Sequence, residues 1–194
     1  MDKNKIQNLV DELYKKVVVE DISNCNLGDR EFVKSVAKSF GYTEEEINDE
    51  SNLGLGCGNP VEFANLKPGE IVVDLGCGKG IDVFKASKVV GDTGLSVGVD
   101  RLEEMISSAT KIAEKRNFKN VKFIHSDITD IKLDDEFCDC VISNCVINLS
   151  LNKQKVYDEI YRILKKGGRI SISDIVRYNQ LPERFLNDPK YFST

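Results

Sequence analysis

The residues best placed to do chemistry in this chain are Asp74-Leu75-Gly76-Cys77-Gly78-Lys79-Gly80, Asp100, Asp127 and six cysteines, Cys25, Cys57, Cys77, Cys138, Cys140 and Cys145. A carboxylate followed by glycines at alternate positions lets the backbone pass close to a ligand at the mouth of a helix. The spacing is G-x-G-x-G, not the G-x-G-x-x-G that cradles a dinucleotide pyrophosphate, and no Lys-Ser/Thr ending marks a phosphate loop. The shorter loop with Asp74 before it suits the ammonium and carboxylate of an amino acid. Asp100 ends the next strand about 20 residues on, where a carboxylate can accept from both hydroxyls of a ribose. Asp127 is placed to accept from an adenine amine and Ile128 to cover the ring. Each aspartate has a plainer alternative, as a cap on the helix or turn that follows it. All three in register with the glycines favour an amino-acid nucleoside.

The elements that position these residues are legible in the pattern. From Glu70 short β-branched runs alternate with helical stripes, the sign of βαβ units and a parallel sheet. Strands are expected at 71–75, 96–99, 121–124, 138–143 and 169–173, and helices at about 80–90, 102–116 and 153–164. The expected fold class is α/β, Rossmann-like, with helices on both faces of a mostly parallel sheet. Ahead of it, Ile6, Leu9, Val10, Leu13, Tyr14 and Val17 form the stripe of an amphipathic helix that must dock on something. A helix over 29–40 and a short one after Thr43, with Glu46 completing a capping box, complete an N-terminal extension. The divisions expected are 1–50 for that extension, 51–178 for the cofactor-binding domain and 179–194 for a further segment.

A length of 194 residues fits one α/β domain, and a net charge of -5 gives no electrostatic footprint for nucleic acid or a membrane surface. No segment approaches the roughly 20 apolar residues that span a bilayer, and the N-terminus lacks a signal-peptide stretch. The reading is a cytoplasmic protein whose cysteines are reduced rather than a disulfide framework. Cys138 and Cys140, alternate on one strand, are expected to point to one side and pack in the core. Cys77 lines the glycine loop. His125, the single histidine, excludes a multi-histidine metal site and is read as structural.

Taken together, residues 70–175 resemble the class I S-adenosylmethionine methyltransferase fold. A narrower resemblance, to the arsenite methyltransferase family, rests on Gly56-Cys57-Gly58-Asn59-Pro60, on Ser143-Asn144-Cys145-Val146-Ile147-Asn148-Leu149, on Asp82, on Val89-Val90-Gly91-Asp92-Thr93-Gly94 and on Leu164-Lys165-Lys166-Gly167-Gly168-Arg169. It implies S-adenosylmethionine held by Asp74, Gly76, Cys77, Gly78, Gly80, Asp82, Asp100, Arg101, Asp127, Ile128 and Asn144. It implies a small metalloid substrate bound by Cys57 and Cys145, with Cys25 a further family cysteine, and a thiol reductant such as glutathione or thioredoxin as partner. Trivalent arsenic is soft and thiophilic, so convergent thiolates replace its oxygen ligands and leave a lone pair facing outward to the sulfonium methyl. Each cysteine also has the reading of a small buried hydrophobe.

The chain departs from the family at Ile81, where an Arg is usual, and at Arg101, where a Met is usual. Similarity continues through Leu181-Pro182-Glu183-Arg184 and Asn187-Asp188-Pro189, and the sequence ends at Thr194 before the position of a third family thiol and the last two strands. An engineered shortening and a natural short form are both open, and the expectation is weak turnover of inorganic arsenite. Two other functions remain: methyl transfer to a small organic or quinone-like substrate, and a non-catalytic thiol site for a metalloid.

Overall fold

The five β-branched runs become five parallel strands in the computed structural model, which describes residues 30–176 together with 8, 10–12, 14, 15, 178 and 179. They are β1 (Ile71–Leu75), β2 (Leu95–Asp100), β3 (Val121–His125), β4 (Cys138–Asn144) and β5 (Leu164–Ser173), in the spatial order β3-β2-β1-β4-β5. Before the sheet come α1 (Arg30–Ser39), α2 (Glu44–Ile47) and α3 (Pro60–Phe63); between its strands lie α4 (Ile81–Val90), α5 (Glu103–Lys115) and α6 (Lys153–Ile163). Thr43 and Glu46 form the expected capping box, each side chain accepting from the other's backbone N–H.

Strand β1 is covered on both faces, which is why its sequence is almost wholly apolar. On one side Val73 and Leu75 pack with Val97, Val99 and Val141 against Val156, Ile160 and Ile163 of α6. On the other, Val72 and Ile142 pack with Ala86 and Val90 of α4 and Val61 of α3. Each such Val or Ile, taken out of water, contributes about 1.5–3 kcal/mol. The strand order reverses at β1, between its neighbours β2 and β4, so a crevice opens beyond the carboxyl ends of β1 and β4. Residues 10–12, 14 and 15 are helical, and Val10 is buried, consistent with the docking stripe expected of the N-terminal segment.

Two expectations are corrected. Cys138 and Cys140 are both fully buried, but Cys138 packs in the α6-side cluster and Cys140 in the α4-side cluster. The alternation fails because the register of β4 against β5 breaks between them, with Cys138 opposite Leu164 and Cys140 opposite Arg169. The same break absorbs Lys165 to Gly168, so β5 begins at Leu164, directly after α6, rather than at 169. No helix among the described residues is long and apolar enough to cross a membrane.

Candidate functional site

At the carboxyl end of β1 the chain turns through Gly76, Gly78 and Gly80, all at positive φ (70°, 53° and 93°), a run of left-handed backbone that side chains disfavour. The turn is tied to its neighbour strand: Gly76 and Cys77 both donate backbone N–H to the Val99 carbonyl, at 2.8 and 3.1 Å. A Cβ on Gly76 would collide with the side chain of Val146, so the loop after β4 lies directly on the turn. Asp100 holds the other side. Its carboxylate accepts from Gly78 N at 3.0 Å and Leu102 N at 2.9 Å, one bond to each oxygen, which leaves lone pairs on both for a ligand's hydroxyls.

Above this turn lies a cavity of about 410 Å3 lined by Asp74, Asp82, Asp100, Asp127, Asn144 and Cys145 among its polar groups. Tyr14, Val36, Phe40, Met105, Ile128 and Leu149 supply apolar walls. Burial drives the Asp74 carboxyl well above its usual range, helped by the charges of Asp82 and Asp100. Burial also raises Asp82, against the opposing hydrogen bonds from Asn144 and Tyr42, and raises Asp100 against its backbone donors. Among the described residues no Lys or Arg nitrogen lies within ion-pair distance of these three carboxylates. Lys79 and Arg101 also line the cavity, but buried carboxylates that neither reaches at ion-pair distance fit a cationic ligand.

The structure brings together most of the residues predicted from sequence. Ile128 is buried at the cavity wall, and Asp127 beside it spends one oxygen on an Asx turn, accepting from the N–H and hydroxyl of Thr129 at 2.8 and 2.7 Å. Its other oxygen faces Arg101 at 3.9 Å, and Arg101 also pairs with Asp11 of the N-terminal segment at 3.0 Å. Cys77 contributes to the loop, but its sulfur is turned toward β2, where a Cβ on Gly98 would sit 2.7 Å from it. Burial pushes that thiol well up, which keeps it protonated and unreactive. His125 bonds the Arg101 carbonyl at 2.9 Å, a structural link as expected. Cys25 lies outside the described residues.

Asn144 is the most heavily engaged of them. Its carbonyl oxygen accepts from Cys57 N at 3.0 Å, and its amide nitrogen faces Gly58 O at 2.9 Å, Asp82 Oδ2 at 3.0 Å and the Tyr42 hydroxyl at 3.1 Å. The next residue, Cys145, has φ +56°, a left-handed conformation uncommon outside glycine, and donates its N–H to Ser173 O at 2.8 Å. Cys57 and Cys145 are joined as a disulfide across 88 residues, with Cα atoms 5.8 Å apart. The sequence reading expected free thiols. The two backbones approach within the range a disulfide requires, so nothing but redox conditions separates the paired form from a dithiol. Among the described residues no group of three or more His, Cys, Asp or Glu could hold a metal ion.

Sequence reasoning missed Tyr42 and Tyr14. The Tyr42 hydroxyl donates to Asp82 Oδ1 at 2.8 Å, buried, from the loop between α1 and α2. Tyr14 packs on the patch formed by Leu53, Leu102 and Met105 at the edge of the cavity. Nothing local in the sequence announces either partner, since Tyr42 and Asp82 are 40 residues apart and Tyr14 precedes the sheet altogether.

Comparison with known proteins agrees with this geometry. The family described as "Methyltransferase domain" matches residues 66–193. An arsenite methyltransferase of Halobacterium salinarum is 44% identical over 158 residues, covering 80% of this chain and 40% of that protein. The human arsenite methyltransferase is 40% identical over 189 residues, covering 92% of this chain and 48% of its own length. The chain thus spans less than half the length of these two curated relatives. Among solved structures, an arsenic(III) S-adenosylmethionine methyltransferase from Chlamydomonas reinhardtii superposes with a TM-score of 0.66 at 34% identity, covering 81% of this chain and 53% of that one. A SAM-dependent methyltransferase from Aquifex aeolicus gives 0.59 at 26% identity, covering 81% and 80%. The chain belongs to the methyltransferase domain family, and its parallel sheet with the glycine turn has the fold of the S-adenosylmethionine-dependent methyltransferases.

Proposed function

We propose that the chain binds S-adenosylmethionine in the cavity above the glycine turn and methylates trivalent arsenic held by the thiolates of Cys57 and Cys145. The observation that carries this reading is the meeting of those two cysteines, 88 residues apart in sequence, with Cys145 on the wall of the cavity whose floor is the turn. The cofactor supplies an electrophilic methyl on a sulfonium, and its ammonium and sulfonium charges suit the buried carboxylates Asp74 and Asp82. Asp100 offers both oxygens to the ribose, and Ile128 a surface to the adenine. Asp127 keeps only the oxygen facing Arg101 for an adenine amine.

The chain's own groups hold and orient the acceptor; no general base is required, because the arsenic lone pair attacks. Forming the As–C bond from that lone pair oxidises arsenic by two electrons. The two thiolates can return them by leaving as the Cys57–Cys145 disulfide, which two external thiols, from glutathione or thioredoxin, then reduce. A compartment that keeps thiols reduced, such as the cytoplasm, suits that cycle.

The test is incubation of the reduced chain with S-adenosylmethionine and arsenite or methylarsenite, followed by speciation of the products. Methylated arsenic is expected from the unaltered chain. The Cys145→Ser variant should lose at least about a hundredfold in rate, as expected when one of two holding ligands is removed, while its cofactor affinity stays unchanged. Turnover that survives Cys145→Ser would overturn the arsenic reading. It would favour methylation of an organic acceptor, an alternative supported by 31% identity over 148 residues to the 2-phytyl-1,4-beta-naphthoquinone methyltransferase of Arabidopsis thaliana.

A further inference from the structure

Asn144 stands between two parts of the site that are otherwise separate. On one side are Asp82 and Tyr42, which belong to the cofactor cavity; on the other is the Gly56-Cys57-Gly58 loop. One side-chain amide satisfies both the N–H of Cys57 and the carbonyl of Gly58, at 3.0 and 2.9 Å, so it clamps the peptide unit before Cys57 and the one after Gly58, with the Cys57 Cα held between them. The loop lies so close on the amide that a Cβ on Gly56 would come within 2.8 Å of its nitrogen. Asn144 is also the residue that precedes Cys145, at the end of β4. The backbone of one cysteine is therefore held by the side chain of the residue next to the other. The clamp is anchored in turn, because the amide nitrogen also reaches Asp82 Oδ2 at 3.0 Å, and Asp82 is 3% exposed.

We propose that Asn144 is a positioning residue that keeps Cys57 and Cys145 at chelating distance whether or not they are covalently joined. The assignment differs from the cofactor contact implied by family resemblance, since each polar atom of the side chain already has a partner within the protein. It rests on the reading of Cys57 and Cys145 as a working dithiol, and it adds what holds the pair when the disulfide is open. A preorganised pair closes on a thiophilic centre without first ordering a glycine loop, which has three glycines within the five residues from Gly54 to Gly58.

The experiment reads the effective concentration of one thiol at the other, without arsenic and without cofactor. The folded chain is equilibrated in glutathione buffers, where two protein thiols and one glutathione disulfide give the protein disulfide and two glutathiones. The Cys57–Cys145 population is then trapped by alkylation and counted at peptide resolution. Asn144→Ala is expected to move the equilibrium about tenfold toward the dithiol, the scale of one lost buried coupling. Asn144→Asp keeps an acceptor for Cys57 N but loses the donors to Gly58 and Asp82, and should move it in the same direction by about threefold. Val141→Ala, a core deletion on the same strand, should reduce stability yet leave the exchange equilibrium within twofold of the unaltered chain.

The proposal is overturned if the Asn144 variants stay within twofold, if Val141→Ala moves the equilibrium as far as they do, or if the unaltered pair does not close at all. A chain with the expected shift but no arsenic methylation would sink the proposed function and leave the positioning role standing.

Discussion

The two ends of the sheet carry the same residue types in opposite electrostatic states. At the amino end, Glu70 is gripped by both terminal nitrogens of Arg169, at 2.8 and 2.7 Å, and this pairing holds its carboxyl below the ordinary range. Asp139 beside it is pushed up by burial, but the Ile71 N–H and the Lys165 ammonium outweigh that, and it too lies low. At the carboxyl end, Asp74, Asp82 and Asp100 are more deeply buried, form no ion pair among the described residues, and are all raised, the more distant charges of Lys85 and Arg101 only partly offsetting burial at Asp82 and Asp100. Paired carboxylates fasten loops to strands, whereas raised ones grouped around a cavity keep an unmet demand for positive charge. The contrast separates scaffold from site on a single strand, since Glu70 precedes β1 and Asp74 lies within it.

Removing the demand should have the largest effect. Asp74→Asn is expected to weaken S-adenosylmethionine binding about 10- to 100-fold, the value of one or two charge-assisted hydrogen bonds, read by calorimetry. The same variant should raise the melting temperature of the ligand-free chain by roughly 2–4 °C. The sign follows from linkage. Asp74 has a raised pKa in the folded chain, so between its unfolded and folded values the folded state binds more protons, and stability falls as pH rises through that window. At neutral pH the buried carboxylate is a cost that an amide lacks. Cofactor affinity should run the other way, rising with pH as Asp74 ionises, with protons released on binding. A variant that loses melting temperature and affinity together would mark Asp74 as scaffold.

The amino end should answer in the opposite sense. Arg169→Ala removes the Glu70 pair and also the donors to Ala64 O and Asn65 O, at 2.6 and 2.8 Å. With the Arg169 side chain 32% exposed, the loss is screened and should come to about 1–2 kcal/mol, with cofactor affinity unchanged within twofold. Because Glu70 and Asp139 are depressed in the folded chain, their contribution is present above the ordinary carboxylate range and lost as pH falls below it. Acid titration of the melting temperature should therefore be flatter in Arg169→Ala than in the unaltered chain.

The sheet and the glycine turn were legible because their signals are local. Val72 and Val73 inside a short β-branched run, then glycines at alternate positions, specify a strand and a left-handed turn without reference to distant residues. The face of Cys138 was not legible, since it depends on how many residues of β5 fit opposite Asp139. Nor was the engagement of Asn144. Its position in the sequence says only that it ends a strand beside Cys145, and all four of its partners lie 62 or more residues earlier, Tyr42 the farthest at 102. Asp127 was read from its place after β3, yet the Thr129 contacts that occupy one of its oxygens follow from local turn chemistry that the same residues spell out.

The finest test of the contrast between the two ends is Tyr42→Phe. Burial and the neighbouring charge of Asp82 keep the Tyr42 phenol protonated far above the pH of any assay, so in the native chain it always donates to Asp82 Oδ1. Asp82 then has two side-chain donors, Tyr42 and Asn144, that favour its ionised form against burial. Deleting the hydroxyl removes one of them and changes little in shape. The Asp82 carboxyl should rise further, and a ligand cation that needs it ionised should bind about threefold more weakly at the low-pH end of the titration, on the scale of one hydrogen bond to a charged group partly compensated by the bound cation. At higher pH, as the carboxylate ionises in both chains, the gap should narrow. An affinity loss of the same size at both ends of the titration would mean that Tyr42 shapes the cavity rather than tuning Asp82, and Asp82 would then belong with the scaffold.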